Sequence, residues 1–280
     1  MRAVREYYSG RLRENHSGVD IEVNGAALRY DLTGAGPKTL VLVHEMGGTL
    51  ESWEWVLPAL SHGRRVLRYD TRGTGLSEKI RGAADIDVLT DDVAALLDAL
   101  EIRGNVGIAG VAVGGAIALH FAARHGARTA ALIAMGPAVG VPADRKAAIA
   151  ALADAMEAGG MRAGMTAALA NSYPDNMRGD SARFASVRNQ RLGNDPGSQA
   201  AIYRMLNTMD LSADYAKIGC PTLLLAGRYD GLRPPATVEP LVALIRGARF
   251  QALETAHFMA AQTPELVADV MNQFLTEHGC

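Results

Sequence analysis

The chain has little cysteine: two in 280 residues, Cys220 before a proline and Cys280 at the last position, far apart in sequence. So sparse a set excludes a disulfide framework and a cysteine metal site. Neither sign of charge prevails, since 28 basic residues stand against 30 acidic ones. No overall field then draws the chain to nucleic acid or to an anionic membrane surface. No segment is long and apolar enough to span a bilayer. The opening MRAVREYYSGRLRENHSG lacks the apolar run of a secretory signal, so a cytoplasmic location is expected. There is no internal repeat. His16, His62, His120, His125 and His278 lack metal-ligand spacing and read as surface or helix residues. RGTG has no third glycine at dinucleotide spacing, and no P-loop lysine follows VAVGG. No metal and no cofactor are implied; the expected partner is a small molecule, and association, if any, would give a homodimer.

What is present is core-forming material, with 49% of the residues hydrophobic, enough for one large α/β domain or a domain with a sizeable insertion. GVDIEVNGAALRYDLTG alternates on both sides of Asn24-Gly25, which predicts an antiparallel hairpin. The unbroken apolar stretches in KTLVLVHEMGG, RRVLRYD, NVGIAG and TAALIAMGPA read as strands covered on both faces. Helical stretches separate them, one with Val93, Leu96, Leu97 and Leu100 at helical spacing and Thr90 as its N-cap. From about Val141 to Leu211 the strands stop and alanine- and methionine-rich helices take over. Strand-like segments resume at CPTLLLAGRYD and ARFQALETAH, and TPELVADVMNQFLTEHG closes as an amphipathic helix. The fold class is α/β, a mostly parallel sheet flanked by helices. The expected division is an N-terminal extension at 1–17, a core at 18–140 and 212–280, and a helical cap at 141–211.

One absence is chemical. IAGVAVGGAIALHFAARH, residues 108–125, reads as a strand turning sharply through glycines into a helix, the setting of a nucleophile elbow G-x-S-x-G. Alanine, Ala112, stands where that motif has serine. AGRYD ends a later strand with Asp230, and ETAH follows the last strand with His257, giving the chain order nucleophile position, acid, base. Loops at the carboxyl ends of strands are where open parallel sheets build sites.

Together, VLVHEMGGTLESW, YDTRGTGLS, GVAVGG, PTLLLAGRYDGLRPP and AHFMAAQTPE resemble, in order, the motifs of α/β-hydrolases with a helical cap. Within that superfamily the chain resembles the 3-oxoadipate enol-lactonase-like esterases and lactonases. The resemblance implies an α/β-hydrolase fold and a triad of nucleophile, Asp230 and His257. It also implies an oxyanion hole from the backbone N–H groups of Met46 and Val113, and hydrolysis of a small, in some cases carboxylate-bearing, ester, lactone or amide. Two positions depart from it. Ala112 has no nucleophilic atom. Glu45 replaces the usual glycine and opposes an oxyanion unless it points away, pairs with a cation or is protonated.

Three readings of Ala112 follow. In the first, the chain is a serine-to-alanine form of a hydrolase, nearly inactive as it stands. In the second, alanine is the working residue, and His257 with Asp230, aided by Glu45, performs proton transfer as a hydratase, lyase or water-attacking hydrolase. In the third the chain is a non-catalytic small-molecule receptor. His44 and Arg72 read as braces, while Trp53, Trp55, Met156, Met161 and Met165 read as packing residues.

Overall fold

The computed structural model describes residues 16–280, so the expected N-terminal extension lies, but for its last two residues, outside the described part. Eight strands form one sheet: β1 (His16–Val23), β2 (Ala26–Thr33), β3 (Thr39–Val43), β4 (Arg65–Tyr69), β5 (Val106–Val111), β6 (Thr129–Met135), β7 (Thr222–Gly227) and β8 (Arg249–Leu253). Their order is β1-β2-β4-β3-β5-β6-β7-β8. The first two strands join antiparallel through Asn24 and Gly25, whose φ values of 48° and 70° are those of a hairpin turn matching the strand twist. β2 pairs antiparallel with β4; from β4 to β8 every pairing is parallel.

Between β3 and β5 the order of strand addition reverses. That reversal opens a crevice at the carboxyl ends of these two strands, because their following connections leave toward opposite sides. Around the sheet lie α1 (Ile86–Ala99), α2 (Val113–Arg124) and, at the end of the chain, α7 (Pro264–Glu277). One apolar layer joins α1 and α2 to a face of the sheet through Leu89, Val93, Leu96, Ile117 and Phe121. The other, through Trp53, Leu60, Met271 and Phe274, lies under α7.

Helix α1 starts earlier than the sequence reading places it. Its N-cap is Asp85, whose side chain accepts from Asp87 N–H at 2.8 Å, and Thr90 is buried inside the helix. Leu89 extends the apolar stripe of Val93 and Leu96 one turn backward, so burial carries the helix through the threonine.

Between β6 and β7 the chain leaves the sheet and forms α3 (Lys146–Gly159), α4 (Met165–Ser172), α5 (Ser181–Leu192) and α6 (Pro196–Thr208). Capping is local: Asp180 and Asp195 accept from Arg183 and Ser198 N–H at 2.9 Å each. Met165, Leu169, Tyr173 and Val187 form a small apolar cluster with Phe258, which follows β8. These helices thereby sit over the carboxyl ends of the central strands.

Candidate active site

At the end of β5 the chain turns at Ala112 with φ 53° and ψ −113°. An alanine there costs about 1–3 kcal/mol of backbone strain. The surroundings hold it: Ala112 N–H donates to Met135 O at 3.0 Å, and its carbonyl accepts from Ala116 and Ala138 at 3.0 and 2.8 Å. The turn is possible only with glycines beside it. A Cβ at Gly110 would lie 2.1 Å from Gly114 O, and one at Gly114 would lie 2.1 Å from Val43 O. Val113 N–H stands at the first helical position, where a helix offers it no intrahelical acceptor.

The loop after β3 is braced from within. His44 Nδ1–H donates to Glu45 O at 2.7 Å while Nε2 accepts from Thr71 N–H at 3.0 Å, so the histidine fixes its loop. Gly48 N–H closes a turn onto Glu45 O at 2.9 Å, and Met46 N–H makes no hydrogen bond among the described residues.

Glu45 is buried, and of its expected escapes it takes the cation. Its carboxylate pairs with Arg191 of α5 and accepts from Ser52 Oγ at 3.1 Å. Burial alone would raise its pKa, but the charge of Arg191 and the hydrogen bond it donates hold it below the ordinary carboxylate value. Arg191 in turn donates to Val187 O at 3.0 Å and lies 3.8 Å from the centre of the Phe258 ring. Asn194 completes the clamp: its amide donates to Gly47 O, and its oxygen accepts from Gly75 N–H, both at 2.9 Å.

Asp230 follows β7 and His257 follows β8. The imidazole Nδ1 lies 2.7 Å from Asp230 Oδ2, and Asp230 Oδ1 accepts from Leu232 and Arg233 N–H at 2.8 and 2.9 Å. Burial works against ionisation of Asp230, but His257 and these two N–H groups hold its pKa below the ordinary value. With Nδ1 committed to the carboxylate, His257 Nε2 is left without a partner among the described residues.

A cavity of about 390 Å³ joins these parts. Ala112, Val113, Met46, Glu45 and His257 all line it, with Asp230 directly behind the histidine. The six residues singled out in the sequence thus meet at one place. Arg191, Asn194 and Gln199 are not legible there, because they sit on two helices and the turn between them without a motif, and Arg191 and Asn194 reach the site only across 146 or more residues of chain. Met156, Met161 and Met165, read as filler, line the cavity as well. Arg72 braces Asp92 at 2.7 Å and Asn24 O at 2.9 Å, as a structural residue does. His120, read as a surface or helix residue, is on α2 but buried, held between Asp214 and Asp87 at 2.5 and 2.6 Å.

Residues 36–258 match the family described as serine aminopeptidase, S33. The chain is 25% identical over 94% of its length to 3-oxoadipate enol-lactonase 1 of Acinetobacter baylyi, covering 98% of that protein. It is 29% identical to the solved enol-lactonase of Burkholderia xenovorans LB400, with a TM-score of 0.86 over 92% of this chain and 100% of that one. A third similarity, 43%, is to the dihydrolipoyllysine-residue acetyltransferase component of the acetoin cleaving system of Pseudomonas putida, but it spans 40% of this chain and only 30% of that protein. The match to the S33 description across most of the sequence, on this sheet order and with these hydrolase relatives, makes the chain a member of that family of α/β-hydrolases.

Proposed function

We propose that the chain is the alanine form of a cofactor-free hydrolase for a small ester, lactone or amide, with Ala112 in the place of a serine nucleophile. The observation that carries this reading is the His257–Asp230 pair at 2.7 Å, on a cavity that Ala112 also lines. With serine at 112, the hydroxyl oxygen attacks the substrate carbonyl carbon while His257 Nε2 takes the hydroxyl proton. Asp230 holds the imidazole in the tautomer with Nδ1–H and stabilises the imidazolium. Met46 and Val113 N–H receive the negative charge that forms on the carbonyl oxygen. The proton then passes to the leaving group, and a water, deprotonated by the same histidine, releases the acyl group. Arg191 removes the objection to Glu45 by neutralising it.

Arg145 and Arg233 on the same cavity wall would suit a carboxylate at a substrate's far end. A second reading, proton transfer with alanine as the working residue, draws support from Glu45, an ionised carboxylate that lines the same cavity as His257.

The test is Ala112→Ser, assayed on chromogenic esters and lactones and with a serine-reactive phosphonate. The expected result is covalent labelling and turnover on the order of 10⁶ above the alanine chain. Absence of labelling in a folded serine variant refutes the first reading. Turnover that is equal for alanine and Ala112→Gly, and lost in His257→Ala, establishes the second.

A further inference from the structure

Most of the cavity wall contributed by the cap is apolar: Ile149, Leu152, Met156, Met161, Leu169 and Leu206. Among the polar residues that interrupt it, two lie on α6. Gln199, in the first turn of α6, is only 1% exposed, lines the cavity, and buries its Nε2 without an acceptor. One turn further along α6, on the same face, Tyr203 also lines the cavity, and its hydroxyl has no hydrogen-bond partner among the described residues. An enclosed carboxamide without partners is rare and costly in a folded chain, and beside a cavity it points to a ligand group that completes it.

The place of this carboxamide is fixed by the loop beneath it. A carbon added at Gly47 would lie 3.7 Å from Gln199 Oε1 and 3.2 Å from Arg191 Cγ. Gln199 therefore stands over the Met46–Gly47 turn, close to where the reacting carbonyl would sit rather than at the far end of the cavity. The charges nearby are already matched, since Arg191 and Glu45 neutralise each other. An ion set against this neutral pair loses its water without gaining a charge partner from it, which is costly. A neutral oxygen finds a donor and a hydroxyl.

We propose that Gln199 and Tyr203 form a specificity subsite that reads an uncharged hydroxyl or carbonyl one or two carbons from the reacting carbonyl of an otherwise apolar acyl substrate. This rests on the hydrolase reading above, but its test uses binding alone. The alanine chain is titrated calorimetrically with four esters that differ only at C3: methyl octanoate, methyl 3-oxooctanoate, methyl 3-hydroxyoctanoate and methyl 3-carboxyoctanoate. The oxo or hydroxy ester should bind about three- to tenfold more tightly than methyl octanoate, as one or two added hydrogen bonds provide. The carboxylate should bind no better than methyl octanoate.

Tyr203→Phe and the near-isosteric Gln199→Met should each reduce that preference while leaving methyl octanoate binding within twofold. Equal affinity for the plain, oxo and hydroxy esters overturns the subsite, as does a preference that survives both substitutions, tightest binding of the carboxylate, or no binding of any ester. Phosphonate labelling of Ala112→Ser reports separately on the hydrolase reading: a preference without labelling leaves the subsite standing and removes the serine mechanism.

Discussion

Replacing Arg191 by methionine isolates the cost of the buried carboxylate below it. The methionine keeps much of the packing on Phe258 but takes away the charge that Glu45 faces. Both side chains of the pair are buried, at 7% and 6% exposure, so water does not replace the lost partner. Stranding one member of a buried pair typically costs about 3–5 kcal/mol. With 280 residues, and about 2.1 cal/mol/K of unfolding entropy per residue, the loss corresponds to a fall in Tm of roughly 5–8 °C.

The pH dependence gives the sign. In the parent chain Glu45 has a folded pKa below its ordinary value of 4.5, so its contribution is present above that pH and is lost only as pH falls through the lower folded value. In Arg191→Met, burial acts with much less opposition and moves the folded pKa above the unfolded one. The variant's penalty is then smallest in acid and grows as pH rises from the unfolded value toward the folded one. Urea unfolding at pH 4.5 and pH 8 should therefore find the deficit clearly larger at pH 8. The double variant Glu45→Gln/Arg191→Met should recover most of it. A deficit independent of pH, or a double variant as unstable as the single one, would refute the argument.

In the Ala112→Ser background, Asp230→Asn should lower kcat about 10³- to 10⁴-fold with little change in KM, because the amide no longer fixes the Nδ1–H tautomer; stopped-flow ester hydrolysis checks this. Ala112→Gly should stabilise the chain by about 1 kcal/mol in urea titration, since glycine relieves a backbone at φ 53° and ψ −113°, offset in part by its greater unfolded freedom. Gly114→Ala should destabilise by about 3 kcal/mol or more, because its methyl would lie 2.1 Å from Val43 O and α2 would have to move; circular dichroism melts measure it.

The parts of the molecule written in local chemistry were readable from the sequence. Asn24-Gly25 states its hairpin, unbroken apolar runs state the buried strands, and the glycines around Ala112 state a turn that only they permit. The order of Ala112, Asp230 and His257 could be read because each follows a strand. Thr90 misled because threonine is a good cap in isolation, whereas burial of Leu89 continues the helix through it. Arg191, Asn194 and Gln199 left no local trace, since what they do depends on α5 and α6 lying over the loop after β3, a distance in sequence that no periodicity records. Glu45 was visible as an oddity, but its partner was not.

Asn194 has a consequence for any attempt to change what the protein accepts. One side chain grips both Gly47 and Gly75, so the lid is stitched to the floor at two separate seams. A chimera that imports a foreign lid without an equivalent of this asparagine and of Arg191 would release the Glu45–Gly48 loop as well as reshape the chamber. Grafted specificity and surviving turnover should therefore travel together only when those two residues are carried across with the transplant.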